Sequence, residues 1–286
     1  PCRPELAPGR GPVPSLDAVS VLARLAAQRI AAGALNGRSV ADLAYDLGVS
    51  ERHLRRALER EISVSPLELA QTHRLLLAKR LIVDTDLPMT RVAYASGFQS
   101  LRRFNAVFRQ QYRMAPSALR RGRPAPACPQ GSLKLTLSYR RPLAWDVLMS
   151  SLPHEATVSI DGNSGQVSVA NCAAEGHLVV EIAESLLPVL MPLIAGLRRV
   201  FDLDAEPAVI DAHLSAGGLG RLVGLCPGVR VPGKLEVLEG GLPDALDATD
   251  RRLQRAAGVA SAAGLLALAE QWRPWRAYAA QLLRLV

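Results

Sequence analysis

The sequence contains two stretches that decide the fold, VADLAYDLGVSERHLRRALER at residues 40–60 and MTRVAYASGFQSLRRFNAVFRQQY at residues 89–112. In each, apolar residues recur at helical spacing, and the run ends at a glycine, Gly48 or Gly97, which permits a left-handed backbone. A serine follows each glycine within three residues, where a new helix needs its N-cap. Each stretch therefore predicts two short helices joined by a tight turn, a helix-turn-helix unit.

The second helix of each unit is rich in arginine. Leu54 and Leu58 are spaced to face a core in the first unit, and this leaves the polar residues free on the outer surface. Phe104 and Phe108 have the same spacing in the second. Such a helix, braced by the one before it, is suited to lie in the major groove of duplex DNA. We therefore predict these DNA-binding residues: Arg52, His53, Arg55, Arg56, Ser100, Arg102, Arg103, Asn105 and Arg109.

A further helix is predicted between the two units, at residues 65–82. Its start has the spacing of a capping box, with Ser65 as the N-cap and Glu68 three residues later. Ser39 and Asp42 have the same spacing at the start of the first unit. The predicted apolar stripe of the connecting helix contains Leu67, Leu75, Ala78 and Leu81. A stiff connection of this kind would let the two units read adjacent major-groove faces, about 34 Å apart.

This region resembles the AraC-type DNA-binding domain. The matching positions are Leu43, Ala44, Gly48, Ser50, Arg52, Leu54, Arg56, Ser65, Pro66, Arg74, Leu75, Ala78, Val92, Ala93, Gly97, Phe98, Ser100, Phe104, Phe108, Arg109, Tyr112 and Pro116. Ser63 and Arg113 stand where the family pattern has glycine, and both departures concern turn geometry and stability. The resemblance implies a transcription regulator that binds double-stranded DNA, with RNA polymerase as a further partner.

Charge is distributed unevenly along the 286 residues. Residues 1–123 carry 20 Lys and Arg against 10 Asp and Glu, whereas residues 124–286 carry 14 against 16. The positive excess therefore lies on the part with the helix-turn-helix units, as contacts with phosphates require. An ordinary solvated basic surface is the alternative. The coincidence of the arginines with the predicted second helices favours DNA binding.

The remaining composition excludes several classes of protein. No apolar run reaches the roughly 18 residues that span a bilayer, so no membrane contact is expected. The four cysteines are scattered without a CxxC pair, and the five histidines show no metal-ligand spacing. With no secretory signal, these features predict reduced thiols in a bacterial cytoplasm, with the protein at the nucleoid.

The first residues, PCRPELAPG, resemble the end of the zinc-binding domain of Ada-type alkylation-response regulators. In that family the last of four cysteine ligands precedes a similar segment, and Cys2 falls on its position. A single cysteine does not build a four-coordinate zinc site, so Cys2 is predicted to be an orphan ligand. No cofactor is expected in this chain, since zinc belongs to the domain that would precede it. We assign residues 1–14 to this remnant and linker, and residues 15–121 to the AraC-type domain.

After a Pro- and Gly-rich linker at residues 122–131 the pattern changes. Alternating apolar and polar residues predict strands at four places, 133–140, 156–162, 165–172 and 177–183. Predicted helices cover residues 142–152, 185–203 (interrupted by Pro188 and Pro192) and 207–215. The predicted fold class is thus α+β and multidomain: an all-α double helix-turn-helix domain, then a small antiparallel sheet with helices, then a helical remnant at the C-terminus.

The second half resembles 3-methyladenine DNA glycosylase II. LTLSYRRPLAWDVLMSSL, SLLPVLMPLIAGLRRVFDLDAEPAVIDAHL and CPGVRVPG resemble the N-terminal domain of that family, which we assign to residues 132–232. Residues 233–286 resemble the end of its catalytic domain, and Asp250 falls on the catalytic position. Such a carboxylate stabilises positive charge on the sugar as a flipped, damaged base leaves.

The resemblance lacks one part. Residues after Val237 lead directly into the segment with Asp250, where the family has a helix-hairpin-helix element and the helices of the base pocket. Asp250 is therefore predicted to be an N-cap or surface carboxylate, and Trp272 and Trp275 to be packing residues. The leading hypothesis is a sequence-specific regulator related to the alkylation response. The alternatives are a glycosylase with residual or lost activity, and a decayed chain whose second half only completes a fold.

Overall fold

The computed structural model describes the following parts of the chain: residues 14–120, 131–235, 238 and 240–285. Cys2 and almost all of the predicted linker at residues 122–131 lie outside the described residues, as does the junction at Val237. The chain divides into two compact units, one built on the helices up to residue 120 together with residues 190–195, and one built on the other described residues from 131 onward. The finer domain boundaries remain predictions.

In its described residues, the regular secondary structure of the first unit is entirely α-helical. Its helices are α1 (Pro14–Ala31), α2 (Val40–Asp46), α3 (Glu51–Ile62), α4 (Pro66–Asp84), α5 (Met89–Ala95), α6 (Leu101–Tyr112) and α7 (Pro116–Arg120). The pairs α2–α3 and α5–α6 form the two predicted helix-turn-helix units, and α4 connects them. The double helix-turn-helix fold is confirmed.

Local hydrogen bonds explain where α2 and α4 begin. The hydroxyl of Ser39 accepts a hydrogen bond from the amide of Asp42, and the carboxylate of Asp42 accepts one from the amide of Ser39. Ser65 and Glu68 exchange the same pair of bonds at the start of α4. Both predicted capping boxes are confirmed, and each satisfies amides that a helix N-terminus leaves without a partner.

The buried face of α4 changes along its length. Leu75, Ala78 and Leu81 are buried as predicted. The prediction for Leu67 was wrong, because this side chain is 53% exposed. At that end of α4 a different face is buried, through Ala70, which belongs to the core formed with α1, α2 and α3. One helix therefore contributes to the cores on both sides of it.

Two helices end at residues with strained backbone. Ser63 follows α3 with a φ of 61°, and Arg113 follows α6 with a φ of 56°. Both lie in the left-handed region, which is unfavourable for residues with a Cβ. The two departures from the glycine pattern therefore fall where the backbone favours glycine, while Gly48 and Gly97 occupy the same region without this cost.

The second unit contains a four-stranded sheet. Its strands are β1 (Ser132–Ser138), β2 (Glu155–Ile160), β3 (Asn163–Cys172) and β4 (His177–Ala183). They are ordered β1-β4-β3-β2, and all neighbours are antiparallel. The predicted strands and the α+β class are confirmed. Alternate side chains are buried along β1 and β4, which gives the sheet one core-facing side: Leu133, Leu135, Leu137, Leu178, Val180 and Ile182.

The helices in the described chain from residue 131 onward are short. They are α8 (Trp145–Met149), α9 (Leu190–Val200), α10 (Pro207–Leu214), α11 (Gly220–Leu225), α12 (Arg251–Ala256), α13 (Ala262–Ala269) and α14 (Arg276–Leu283). The prediction of one interrupted helix at residues 185–203 was wrong. A 3₁₀ segment at Glu184–Val189 precedes α9 instead. Pro188 lies in that segment, and Pro192 falls in the first turn of α9, where a missing amide is tolerated.

Helices on the two sides of residue 237 share one core. Its buried side chains include Ile210, Leu214, Val223, Leu253, Leu265, Trp272 and Leu282. The indole Nε1 of Trp272 donates to the carbonyl oxygen of Gly217 at 2.9 Å. A Cβ on Gly217 would lie 2.9 Å from Cδ1 of the indole, so only glycine permits this approach. The prediction that Trp272 is a packing residue is confirmed.

A buried polar network supports the same unit. The guanidinium of Arg230, which is 1% exposed, donates to the carbonyl oxygens of Arg140 (2.8 Å) and Pro142 (3.1 Å). Asp202 accepts a hydrogen bond of 2.6 Å from the hydroxyl of Tyr278 in α14. Burial raises the pKa of Asp202 above its ordinary value.

Among the described residues, no helix is both long and apolar enough to cross a membrane.

Replacing Ser63 with glycine is expected to stabilise the first unit by up to about 1 kcal/mol. Left-handed backbone costs a non-glycine residue roughly 1–2 kcal/mol, and the extra entropy of glycine in the unfolded chain offsets part of the gain. The free energy of unfolding in urea measures the effect. Gly48→Ala is the matched control and should destabilise, since φ is +68° there. Destabilisation by Ser63→Gly would contradict the assignment of strain.

Candidate nucleic-acid interface

Helix α3 presents basic side chains on one face and buries the other. The hydroxyl of Ser50 accepts a hydrogen bond from the amide of His53 and so caps the helix N-terminus. Leu54 is completely buried, which fixes the helix against its core. Arg52, His53 and Arg56 are exposed, as predicted from their positions between the buried leucines. The N-terminal half of α3 is therefore a basic surface on a rigid support.

Arg55 differs from its neighbours. It is half-buried, and its Nε and Nη2 atoms lie 2.9 Å and 2.6 Å from Oε1 of Glu51, one turn earlier. Arg55 lies on the outer surface of α3, as predicted, but it is paired there with Glu51. Its role in DNA binding stays a prediction. An ion pair of this kind adds little stability at a surface. In this arrangement the guanidinium lies against its own helix.

Helix α6 repeats the design. The hydroxyl of Ser100 accepts a hydrogen bond from the amide of Arg103, which makes Ser100 the N-cap, as predicted for this position. The inner face is aromatic, with edge-on contacts from Phe104 to Phe98 at 5.3 Å and to Phe108 at 5.6 Å between ring centres. The remaining predicted residues lie around the other faces: Arg102, Arg103 and Arg109 are exposed, and Asn105 is half-buried.

A polar contact connects the first helix-turn-helix unit to the second. Arg74, in the middle of α4, donates from Nε to Oδ1 of Asn36 (2.9 Å) and from Nη2 to the carbonyl oxygen of Leu35 (2.6 Å). Asn36 lies in the turn before α2. A Cβ on Gly97 would be 2.5 Å from its amide group, so this side chain is packed directly against the turn between α5 and α6.

This contact also influences the electrostatics of the basic surface. Burial lowers the pKa of the Arg74 guanidinium, and repulsion from Arg103 lowers it further. A guanidinium keeps its charge in proteins, so the repulsion acts on two cations. Arg74 is held by its oxygen partners, whereas Arg103 is exposed. Part of the positive charge of this region therefore belongs to a guanidinium that the protein already binds.

Asp250 lies in the second unit and caps α12. Its Oδ1 accepts hydrogen bonds from the amides of Arg252 (2.9 Å) and Leu253 (3.3 Å), so the predicted N-cap is confirmed. The other carboxylate oxygen lies 3.5 Å from Nη2 of Arg284. The amide of Arg252 is the main cause that lowers the pKa of Asp250. The carboxylate is ionised, and its charge is already shared among these donors.

Sequence reasoning missed two groups of residues. Asn36 and Arg74 come together only through the packing of α4, and no local pattern signals their contact with the second turn. Cys172, Glu175 and His177 lie together at the end of a hairpin, with one ligand atom of each within 4.8 Å of the others. The expectation about the histidines left this group out, although its Cys-x₂-Glu-x-His pattern was available as a signal.

Two protein-family models match different parts of the chain. A helix-turn-helix domain model matches residues 23–122, and an AlkA N-terminal domain model matches residues 149–236. The chain therefore combines an AraC-type helix-turn-helix domain with an AlkA N-terminal domain.

Several individual proteins are similar. A probable bifunctional transcriptional activator/DNA repair enzyme AlkA of Mycobacterium tuberculosis is 31% identical over 257 residues, which cover 83% of this chain and 51% of that protein. DNA-3-methyladenine glycosylase 2 of Escherichia coli is 27% identical over 121 residues, or 37% of this chain and 41% of that protein. The crystal structure of a probable AraC family regulator from Rhodopseudomonas palustris shares 30% identity, with a TM-score of 0.33 over 37% of this chain and all of that one. The chain thus spans about half the length of the curated relatives it matches.

Replacing Arg74 with alanine is expected to lower the free energy of unfolding of the first unit by about 1.5–3 kcal/mol, the usual effect of removing charge-assisted hydrogen bonds. Amide hydrogen exchange should accelerate most at residues 33–37 and 97–99, because Asn36 loses its hydrogen bond from Arg74. Arg24→Ala, which removes an exposed cation from α1, is the control for charge alone. Equal effects of the two variants would show that the bridge does not hold the turns together.

Proposed function

We propose that this chain is a sequence-specific DNA-binding regulator that reads duplex DNA through both helix-turn-helix units. One observation carries the proposal. Two N-capped helices, α3 and α6, belong to one compact unit, and each buries its apolar face while exposing arginines near its N-terminus. Such helices fit the major groove, and their support on a common α4 gives them a fixed separation.

The exposed side chains divide by position into two roles. Arg52 and Arg103 lie in the first turn of their helices, where a side chain reaches base edges, and a guanidinium pairs with both acceptors of guanine. Arg56 and Arg109 lie a turn or two further along and are placed to contact phosphates, which position the protein without reading sequence. Arg55 is expected to contribute less, because Glu51 holds it.

The regulated response is inferred from the relatives. The AlkA N-terminal domain and the similarity to a probable activator and repair enzyme support a role in the response to alkylation damage. RNA polymerase is the partner that such a regulator requires, and the bacterial cytoplasm, at the nucleoid, is the compartment where it would act. These assignments extend the DNA-binding proposal and are separate from it.

Substitution of Arg52 or Arg103 by alanine is expected to weaken binding to a selected operator about 10- to 100-fold, the effect of roughly 1–3 kcal/mol for one base-reading pair. The operator is first selected from randomised duplexes, and fluorescence anisotropy measures both it and a scrambled duplex. Arg55→Ala is the matched control on the same helix and should have a smaller effect. Equal losses of affinity for the operator and for the scrambled duplex would show that Arg52 and Arg103 contact phosphates and do not read bases.

Excision of alkylated bases is the second candidate function. The AlkA N-terminal domain favours it, and so does the resemblance of the segment around Asp250 to the one that carries the catalytic carboxylate in 3-methyladenine DNA glycosylase II. The partners of Asp250 weigh against it, because two amides and Arg284 already interact with the charge that would stabilise a cationic sugar.

We therefore expect no release of 3-methyladenine from alkylated duplex DNA above the rate of spontaneous loss. Chromatography of the released bases measures this for the wild-type chain and for Asp250→Asn. Asparagine caps a helix as well as aspartate does, so this variant removes the charge and keeps the fold. Release by the wild-type chain that the variant abolishes would establish the glycosylase function and overturn our expectation.

A further inference from the structure

The turn between β3 and β4 carries three different metal-ligand side chains. Cys172 and His177 are directly paired across the two strands, as the last pair before the turn. Glu175 lies in the turn itself, and its Oε2 atom is 3.5 Å from Nδ1 of His177. One sulfur, one nitrogen and one oxygen therefore lie within 4.8 Å of one another.

Backbone hydrogen bonds hold this turn in place. The amides of Glu175 and Gly176 both donate to the carbonyl oxygen of Cys172, at 3.2 Å and 3.0 Å. Gly176 has a φ of +70°, and its carbonyl oxygen accepts a hydrogen bond from the amide of Tyr139. The side chain of Arg141 donates to the carbonyl oxygen of Ala174 at 3.3 Å. Hydrogen bonds within the hairpin, and others from Tyr139 and Arg141, therefore fix the backbone that carries the three ligands.

We propose that Cys172, Glu175 and His177 bind a borderline-soft divalent cation of the zinc class. Thiolate, imidazole and carboxylate are the three donor types that Zn²⁺ takes in proteins, at about 2.0–2.3 Å. A thiolate and a carboxylate together balance the charge of the ion. Softer sulfur and nitrogen donors disfavour Mg²⁺ and Ca²⁺, which prefer oxygen ligands.

The geometry indicates an open site. Tetrahedral coordination at these bond lengths places ligand atoms roughly 3.3–3.8 Å apart, so the cluster needs only a small contraction. Glu175 supplies it most easily, because its side chain is 71% exposed, whereas that of His177 is 16% exposed. With three protein ligands the fourth position is left to water, as at exchangeable zinc sites.

The site is independent of the proposed DNA-reading surface. All three ligands lie in the second unit, outside the AraC-type domain. The proposal is therefore tested on the full chain without DNA, and its failure would leave the regulator function untouched. The probes are Zn²⁺, measured by calorimetry, and Co²⁺, whose thiolate charge-transfer and visible absorption bands report sulfur ligation and four-coordinate geometry.

The wild-type chain is expected to bind one equivalent of either ion, with a thiolate-to-cobalt band. Cys172→Ser should abolish that band, and His177→Gln should weaken Zn²⁺ affinity more than about 100-fold, since loss of an outer-shell partner alone costs 10- to 100-fold. Cys226→Ser is the matched control and should bind as the wild type does. A joint Cys2→Ser, Cys128→Ser variant controls for the remaining thiols.

A thermal measurement separates metal binding from folding. Without metal, Cys172→Ser and the wild type should unfold at the same temperature, and added Zn²⁺ should raise the midpoint of the wild type only. An unchanged cobalt spectrum in Cys172→Ser, or a band lost in the Cys2 and Cys128 variant instead, would overturn the proposal. So would the absence of one-equivalent binding by the folded wild-type chain.

Discussion

The side chain of Asn36 is confined between Arg74 and Gly97, and this contact sets how the two helix-turn-helix units are arranged. Arg74 binds both the side chain of Asn36 and the backbone of Leu35, so the turn before α2 is attached to the middle of α4. Gly97 gives the room for Asn36 at the second turn. Two reading helices select a pair of groove faces only if their separation is fixed. A few polar atoms around Asn36 therefore help to fix the separation of α3 and α6, because the two helix-turn-helix units have separate apolar cores.

Much of the first unit was predictable because its signals are local. Capping boxes, N-cap serines and a glycine after each short helix act within four residues, and each appeared in the structure where the sequence placed it. The two left-handed residues, Ser63 and Arg113, were also found where the family pattern has glycine. Short-range hydrogen bonds and backbone sterics need no knowledge of the rest of the fold.

The contacts that escaped prediction join residues far apart in sequence. Asn36 meets Gly97, and Trp272 meets Gly217, because helix packing brings a glycine beneath a larger side chain. No periodicity marks either pair. Leu67 shows the same limit, since its apolar character predicted burial but the neighbouring core lies on another face of α4. A cross-strand pair such as Cys172 and His177 requires the register of the hairpin, which follows from the turn and not from composition.

A charged side chain can bind a ligand only through donors or acceptors that are not already used in hydrogen bonds within the protein. Arg52, Arg55 and Arg74 contribute equally to the formal charge. Arg55, however, is bound by Glu51, and Arg74 is bound by oxygens in the turn before α2. Asp250 illustrates the same principle for an anion, because the amides of α12 hold one of its oxygens. The basic excess of the first unit therefore overstates its reading surface. Arg55 is paired with Glu51, and Arg74 is bound by oxygens of the turn before α2, whereas the arginines at the starts of α3 and α6 are exposed and available to a nucleic acid.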